Sequence, residues 1–183
     1  MRTTHRSQQC AAVVLALTAL LAQSCASSAP SAAAIAATQS QSPLSDEFLD
    51  HLVGEWRITR TIRDTTVENT MRAEWVLGHQ FVQMHMIDVK RPPAYEAIVL
   101  LGFDAKRECY IAHWCDSFGG AYSGDGFGVR SGDHIEFRFD YPDGPFFNTF
   151  TWDAAAGSWR FRGENGQADG SRTLFMEDVA VKR

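Results

Sequence analysis

Cysteine is scarce outside the N-terminus. Of four cysteines, Cys10 and Cys25 fall in the first 25 residues, which leaves Cys109 and Cys115. On one strand these two would stand about 20 Å apart, beyond disulfide reach. They read as separate, small, buried thiols. The chain has no Cys-x-x-Cys and no His-Glu-x-x-His, so the common zinc patterns are missing. It has no Gly-x-Ser-x-Gly elbow to present a nucleophilic serine. Gly124-Asp-Gly-Phe-Gly128 lacks the Lys-Ser/Thr and the following helix of a phosphate loop. Asn165-x-Gln167-x-Asp169-Gly170 places Met176 where a calcium loop needs an acid, and reads as a hairpin. Long apolar runs are also missing. The stretch Ala11–Ala22 spans twelve residues, where a membrane-spanning helix needs roughly 20.

That short run has a different meaning. A basic start with Arg2 and Arg6, an apolar core and then small residues make an export signal over residues 1–25. Ala22-Gln23-Ser24-Cys25 resembles the lipobox of bacterial lipoproteins, in which the cysteine is lipidated, and it also fits ordinary signal-peptidase cleavage. A lipid on Cys25 would tether the protein to a membrane without spanning it, giving a periplasmic or membrane-tethered protein. Residues 26–43 are mostly Ala, Ser, Gln and Pro, a linker that cannot bury enough surface to order itself. Residues 44–183 form one domain.

Positive charge is short as well. The chain has 17 basic and 22 acidic side chains, and removal of Arg2 and Arg6 moves its formal charge from −5 to −7. This argues against nucleic acid or an anionic membrane surface as partner. Membrane contact is expected only through the lipid anchor.

What the chain has in quantity is alternation. Ser45–Gly54 is predicted as one short helix, with Ser45 as N-cap and an apolar stripe of Phe48, Leu49, Leu52 and Val53 that covers one end of a sheet. Strand signals follow: Trp56-Ile58-Arg60-Ile62 alternates with Arg57-Thr59-Thr61, and Met71/Ala73/Trp75/Leu77 leads through Gly78-His79 into Phe81–Ile87. Further strands are predicted at 95–103, 110–115, 121–129, 135–141, 146–152, 159–161 and 173–181. Gly124-Asp-Gly126, Ser131-Gly-Asp133 and Pro142-Asp-Gly144 supply turn chemistry. About ten short strands without a second helix predict an all-β fold, an up-and-down antiparallel barrel able to hold one small ligand.

The start of the domain, a short helix running into Gly54-Glu-Trp56 and then a strand meander, resembles the calycin superfamily of lipocalins and fatty-acid-binding proteins. Trp75-Val-Leu-Gly-His-Gln-Phe81, Gly102-Phe-Asp104 and Tyr110-Ile-Ala-His-Trp-Cys-Asp-Ser117 resemble, more closely, a family of uncharacterised, often exported bacterial domains. Its members carry Trp-x-Leu-Gly-Gly-x-Phe, Gly-Tyr-Asp and Tyr-x-x-x-Trp-x-Asp-Ser in that order. The resemblance implies a calycin-type barrel and brings no activity with it. Nitrobindin-like barrels of the same superfamily bind haem, but Ile58 stands where their early motif has Gly, and no histidine follows His134. Haem is therefore disfavoured and no cofactor is expected, although His85 or His113 facing the lumen could ligate iron.

The expected partner is a small hydrophobic or amphipathic molecule inside the barrel, with Trp56, Trp75, His85, His113 and Trp114 as candidate lining residues. On a regular strand His113 and Trp114 cannot both point inward. Tyr110, Ala112 and Trp114 compete with Cys109, Ile111, His113 and Cys115 for the interior. Two other readings stand beside this one. A hydrolase or isomerase would use a cavity histidine with a nearby acid, and a ligand-free envelope protein would carry an exposed apolar patch on its outer wall.

Overall fold

In a computed structural model, the structure describes residues 42–183. The export signal at 1–25 with Cys25, and the linker up to residue 41, lie outside the described residues. The sheet runs β1 (Gly54–Ile62), β2 (Thr65–Val76), β3 (Phe81–Asp88), β4 (Glu96–Asp104), β5 (Cys109–Asp116), β6 (Gly124–Gly128), β7 (Arg130–Ser131), β8 (His134–Tyr141), β9 (Gly144–Asp153), β10 (Ser158–Gly166) and β11 (Arg172–Lys182). Apart from β6 and β7, neighbours in sequence pair antiparallel, β1 also pairs with β11, and β6 pairs with β8. The two-residue β7 continues β6 along β8 in the same register. The result is a closed ten-stranded up-and-down barrel, as the alternation predicts.

The inward residues follow from period two. They include Trp56, Ile58 and Arg60 on β1, Val82, Met84 and Met86 on β3, Ala97, Val99 and Leu101 on β4, and Trp159 and Phe161 on β10. On β5 the interior set is Tyr110, Ala112 and Trp114, so Ile111, His113 and Cys115 face outward. The thiols are therefore not core. Cys109 is half-buried and Cys115 exposed.

The helix is shorter than the spacing predicts. It spans α1 (Glu47–Asp50), and Asp46, not Ser45, caps it by accepting from the Leu49 amide at 3.0 Å. Gly54 does not stop a helix. At φ 135° it opens β1, a conformation that favours glycine. Phe48, Leu49 and Leu52 are buried in the barrel end. A helix end leaves carbonyls without partners, and here indoles supply them: Trp56 Nε1 donates to Leu52 O at 2.7 Å and Trp159 Nε1 to His51 O at 3.2 Å. Trp75 Nε1 donates to Asp50 Oδ1 at 2.8 Å, and the Tyr110 hydroxyl to Asp46 Oδ2 at 2.6 Å. The helix is thus a plug held by four aromatic side chains.

Closure occurs at β6 and β8, where Gly124-Asp-Gly126 is strand, not turn. A Cβ on Gly126 would sit 2.5 Å from the Phe139 ring, and one on Gly128 would press into the Glu136 carbonyl oxygen. The ring can tilt away, but the carbonyl belongs to the ladder and cannot. Gly128→Ala is expected to destabilise the fold by about 1–3 kcal/mol, read as a lower denaturant midpoint at unchanged m-value.

Candidate functional site

The barrel is filled at the plugged end and hollow at the other. Trp56, Trp159, Phe161, Phe150 and Phe137 pack the lower lumen, with Phe137 against Phe150 at 5.3 Å and Phe150 against Phe161 at 4.7 Å between centroids. Above them lies a small void of about 10 Å³ between Met84, Met86, Phe150 and Phe161, about the size of one water molecule. Higher still, the lumen opens into a cavity of about 590 Å³, within the range of small-molecule sites. Its walls are mainly aromatic, among them Trp114, Phe139, Tyr141 and Phe146.

The floor is charged. Arg60 on β1 and Asp178 on β11 are directly opposed across the ladder. Arg60 donates from Nε at 2.9 Å and from Nη2 at 2.6 Å, in a bidentate pair whose partners are only 5% and 1% exposed. Burial works against the guanidinium charge, but Asp178 more than offsets this and holds the Arg60 pKa above its ordinary value. Burial pushes the Asp178 carboxyl up, and Arg60 holds back part of that rise. The guanidinium also lies 4.7 Å from the Tyr95 ring centroid, a cation–π contact. Beside the pair, Asn148 on β9 faces the cavity at 2% exposure, and its Oδ1 has no hydrogen-bond partner among the described residues.

The mouth carries Arg63, Asp116 and Asp143. Asp116 is fixed at the end of β5, where it accepts from Trp114 Nε1 at 3.1 Å and from the Phe118 amide at 3.0 Å. Burial, together with Asp116, raises the Tyr95 and Tyr141 hydroxyls to about 12, although Arg60 opposes the rise at Tyr95. Both present neutral hydroxyls at physiological pH.

Of the five residues expected to line a pocket, only Trp114 does. Trp56 is fully buried beneath the plug. Trp75 is half-buried at the same end, stacked on His79 at 4.0 Å. His85 and His113 take the opposite strand parity and face outward. His85 Nε2 pairs with Glu96 at 2.7 Å and His113 Nδ1 with Asp125 at 2.6 Å, each on a neighbouring strand. These positions bring no histidine to the cavity for iron ligation or proton transfer. Arg60 and Asn148, which do border it, and Asp178, which holds Arg60 from the small void beneath, were each legible as one polar member of an apolar alternating set. Examples are Trp56-Ile58-Arg60-Ile62 and Phe146-Asn148-Phe150-Trp152.

Fold and cavity define a class: a closed antiparallel barrel with one plugged end and one open, aromatic-walled lumen. The chain belongs to the family described as "Protein of unknown function (DUF1579)", whose model matches residues 44–177. No curated protein matches the chain.

Two outcomes follow. Arg60→Met leaves a buried carboxylate without a partner and is expected to cost about 3–5 kcal/mol in chemical denaturation. The double variant Arg60→Met/Asp178→Leu is expected to regain most of that loss. The second outcome concerns pH. Burial raises Tyr95, Tyr110 and Tyr141 from 10.0 to about 12, at Tyr110 with added help from Asp46. The folded state therefore keeps protons that the unfolded chain releases. The stabilisation is complete below pH 10 and is lost as pH rises towards 12, which tyrosinate absorbance and thermal melts across that window would show together.

Proposed function

We propose that this protein is an exported carrier or receptor that holds one small hydrophobic or amphipathic molecule in the open half of its barrel. The observation that carries the reading is the cavity of about 590 Å³, aromatic at its walls and polar at its floor and mouth. Preformed pockets of this kind bind by removing apolar ligand surface from water, while a few polar groups set orientation. At about 25 cal/mol per Å², burial of roughly 300 Å² of apolar ligand surface offers about 7 kcal/mol before the cost of immobilisation.

In this reading the barrel is of calycin type, as the Gly54-Glu-Trp56 start and the following meander suggest. The leader at 1–25 exports it, and Cys25 carries the lipid that tethers it by the linker. The excess of acid over base supports a small molecule, not nucleic acid, as the partner.

Native mass spectrometry of the mature protein purified from its own host tests this. The expected spectrum shows the polypeptide plus one organic adduct that leaves on denaturation, with Nile red taken up at one site once the adduct is removed. A bare polypeptide that also fails to take up Nile red would contradict the reading.

A further inference from the structure

The polar groups of the cavity differ in what they still have to offer a ligand. Arg60 has its Nε and Nη2 committed to Asp178, and one face covered by Tyr95. The mouth has two carboxylates, Asp116 and Asp143, against one guanidinium, Arg63. An entering carboxylate thus meets a net negative rim and finds the inner cation already engaged.

Asn148 is the opposite case. It stands on the inward parity of β9 between Phe146 and Phe150, and lines both the cavity and the small void beneath it. Its cross-strand neighbours are Phe137 and Gly163, and neither side offers a side-chain donor. Its Oδ1 is a buried acceptor without a hydrogen bond, an arrangement that costs free energy unless something supplies the donor. Phe146 and Phe150 flank it on the same inward face, and among the described residues the lumen is the open space that its side chain borders.

We propose that the cavity selects an apolar ligand with a neutral hydrogen-bond-donating head, such as an alcohol, a phenol or an amide N–H, which donates to Asn148 Oδ1 at the floor. The proposal rests on the cavity-binding reading above and narrows it: the head group is neither an anion paired with Arg60 nor a group without a donor. The aromatic walls hold the body of the ligand and Asn148 sets how deep it enters.

The mature protein, stripped of any co-purifying molecule, is titrated with naphthol, its methyl ether and naphthoate, with calorimetry as the readout. Naphthol is expected to bind roughly 3–10-fold more tightly than the ether, the size of one net hydrogen bond, and more tightly than naphthoate. In Asn148→Leu the gap between naphthol and ether is expected to close while the ether still binds; Asn148→Ala serves the same comparison if the leucine variant does not fold. Equal affinity for naphthol and ether, a gap that survives in the variant, or tightest binding of naphthoate overturns the donor proposal and leaves cavity binding standing. Failure of all three probes removes both.

Discussion

A guanidinium and a carboxylate can share a barrel interior only if the strand register brings them together, because either alone in that position is strongly unfavourable. Arg60 and Asp178 meet across β1 and β11, the seam where the first and last strands of the barrel join. A one-residue slip of β11 against β1 would turn Asp178 outward together with Met176 and Ala180 and leave Arg60 inside without its partner. The pair therefore ties the register of the seam to the burial of the core. It also divides the lumen. Below it the chain supplies rings and methionines that fill the space, and above it Tyr95, Tyr141 and Asn148 border an open cavity.

The other end of the barrel shows why the lumen opens on one side only. Four residues of helix are too few to be stable alone. Their stability comes from burial of Phe48, Leu49 and Leu52 and from indole and phenol hydrogen bonds to the helix end and its cap. Trp56 and Trp159 serve twice, as core rings and as donors to the plug, which is the use a buried tryptophan best fits. Among the described residues the cavity opens past Arg63, Asp116 and Asp143, with Arg60 and Asn148 at its floor.

Much of the barrel was legible in the alternation. Period-two runs such as Phe81–Ile87 can be satisfied only on a sheet with one dry face, and ten of them without a second helix leave few architectures. What the alternation could not decide was which parity is dry on β5, since Tyr110/Ala112/Trp114 and Ile111/His113/Cys115 are similarly apolar. Pairing with β4 and β6 decides it, with Trp114 beside Val99 and Gly124 on the inner face. That long-range choice carries His113 outward, and the register of β3 does the same for His85. The β6–β8 pairing was hidden for a related reason: Gly124-Asp-Gly126 has the composition of a turn, and only the ring of Phe139 on the neighbouring strand explains glycine within a strand. The polar floor was visible one residue at a time, as Arg60, Asn148 and Asp178 interrupting apolar sets. Their convergence depends on strand pairing and cannot be read along the chain.

The most direct test of the single-ended lumen uses the five tryptophans as position markers. Trp114 borders the cavity, whereas Trp56, Trp75, Trp152 and Trp159 surround the plug. Indole-labelled NMR spectra of the protein titrated with an apolar ligand should show one resonance shifting, that of Trp114, with the other four unmoved. Shifts among those four with Trp114 unchanged would place the ligand elsewhere and contradict the account.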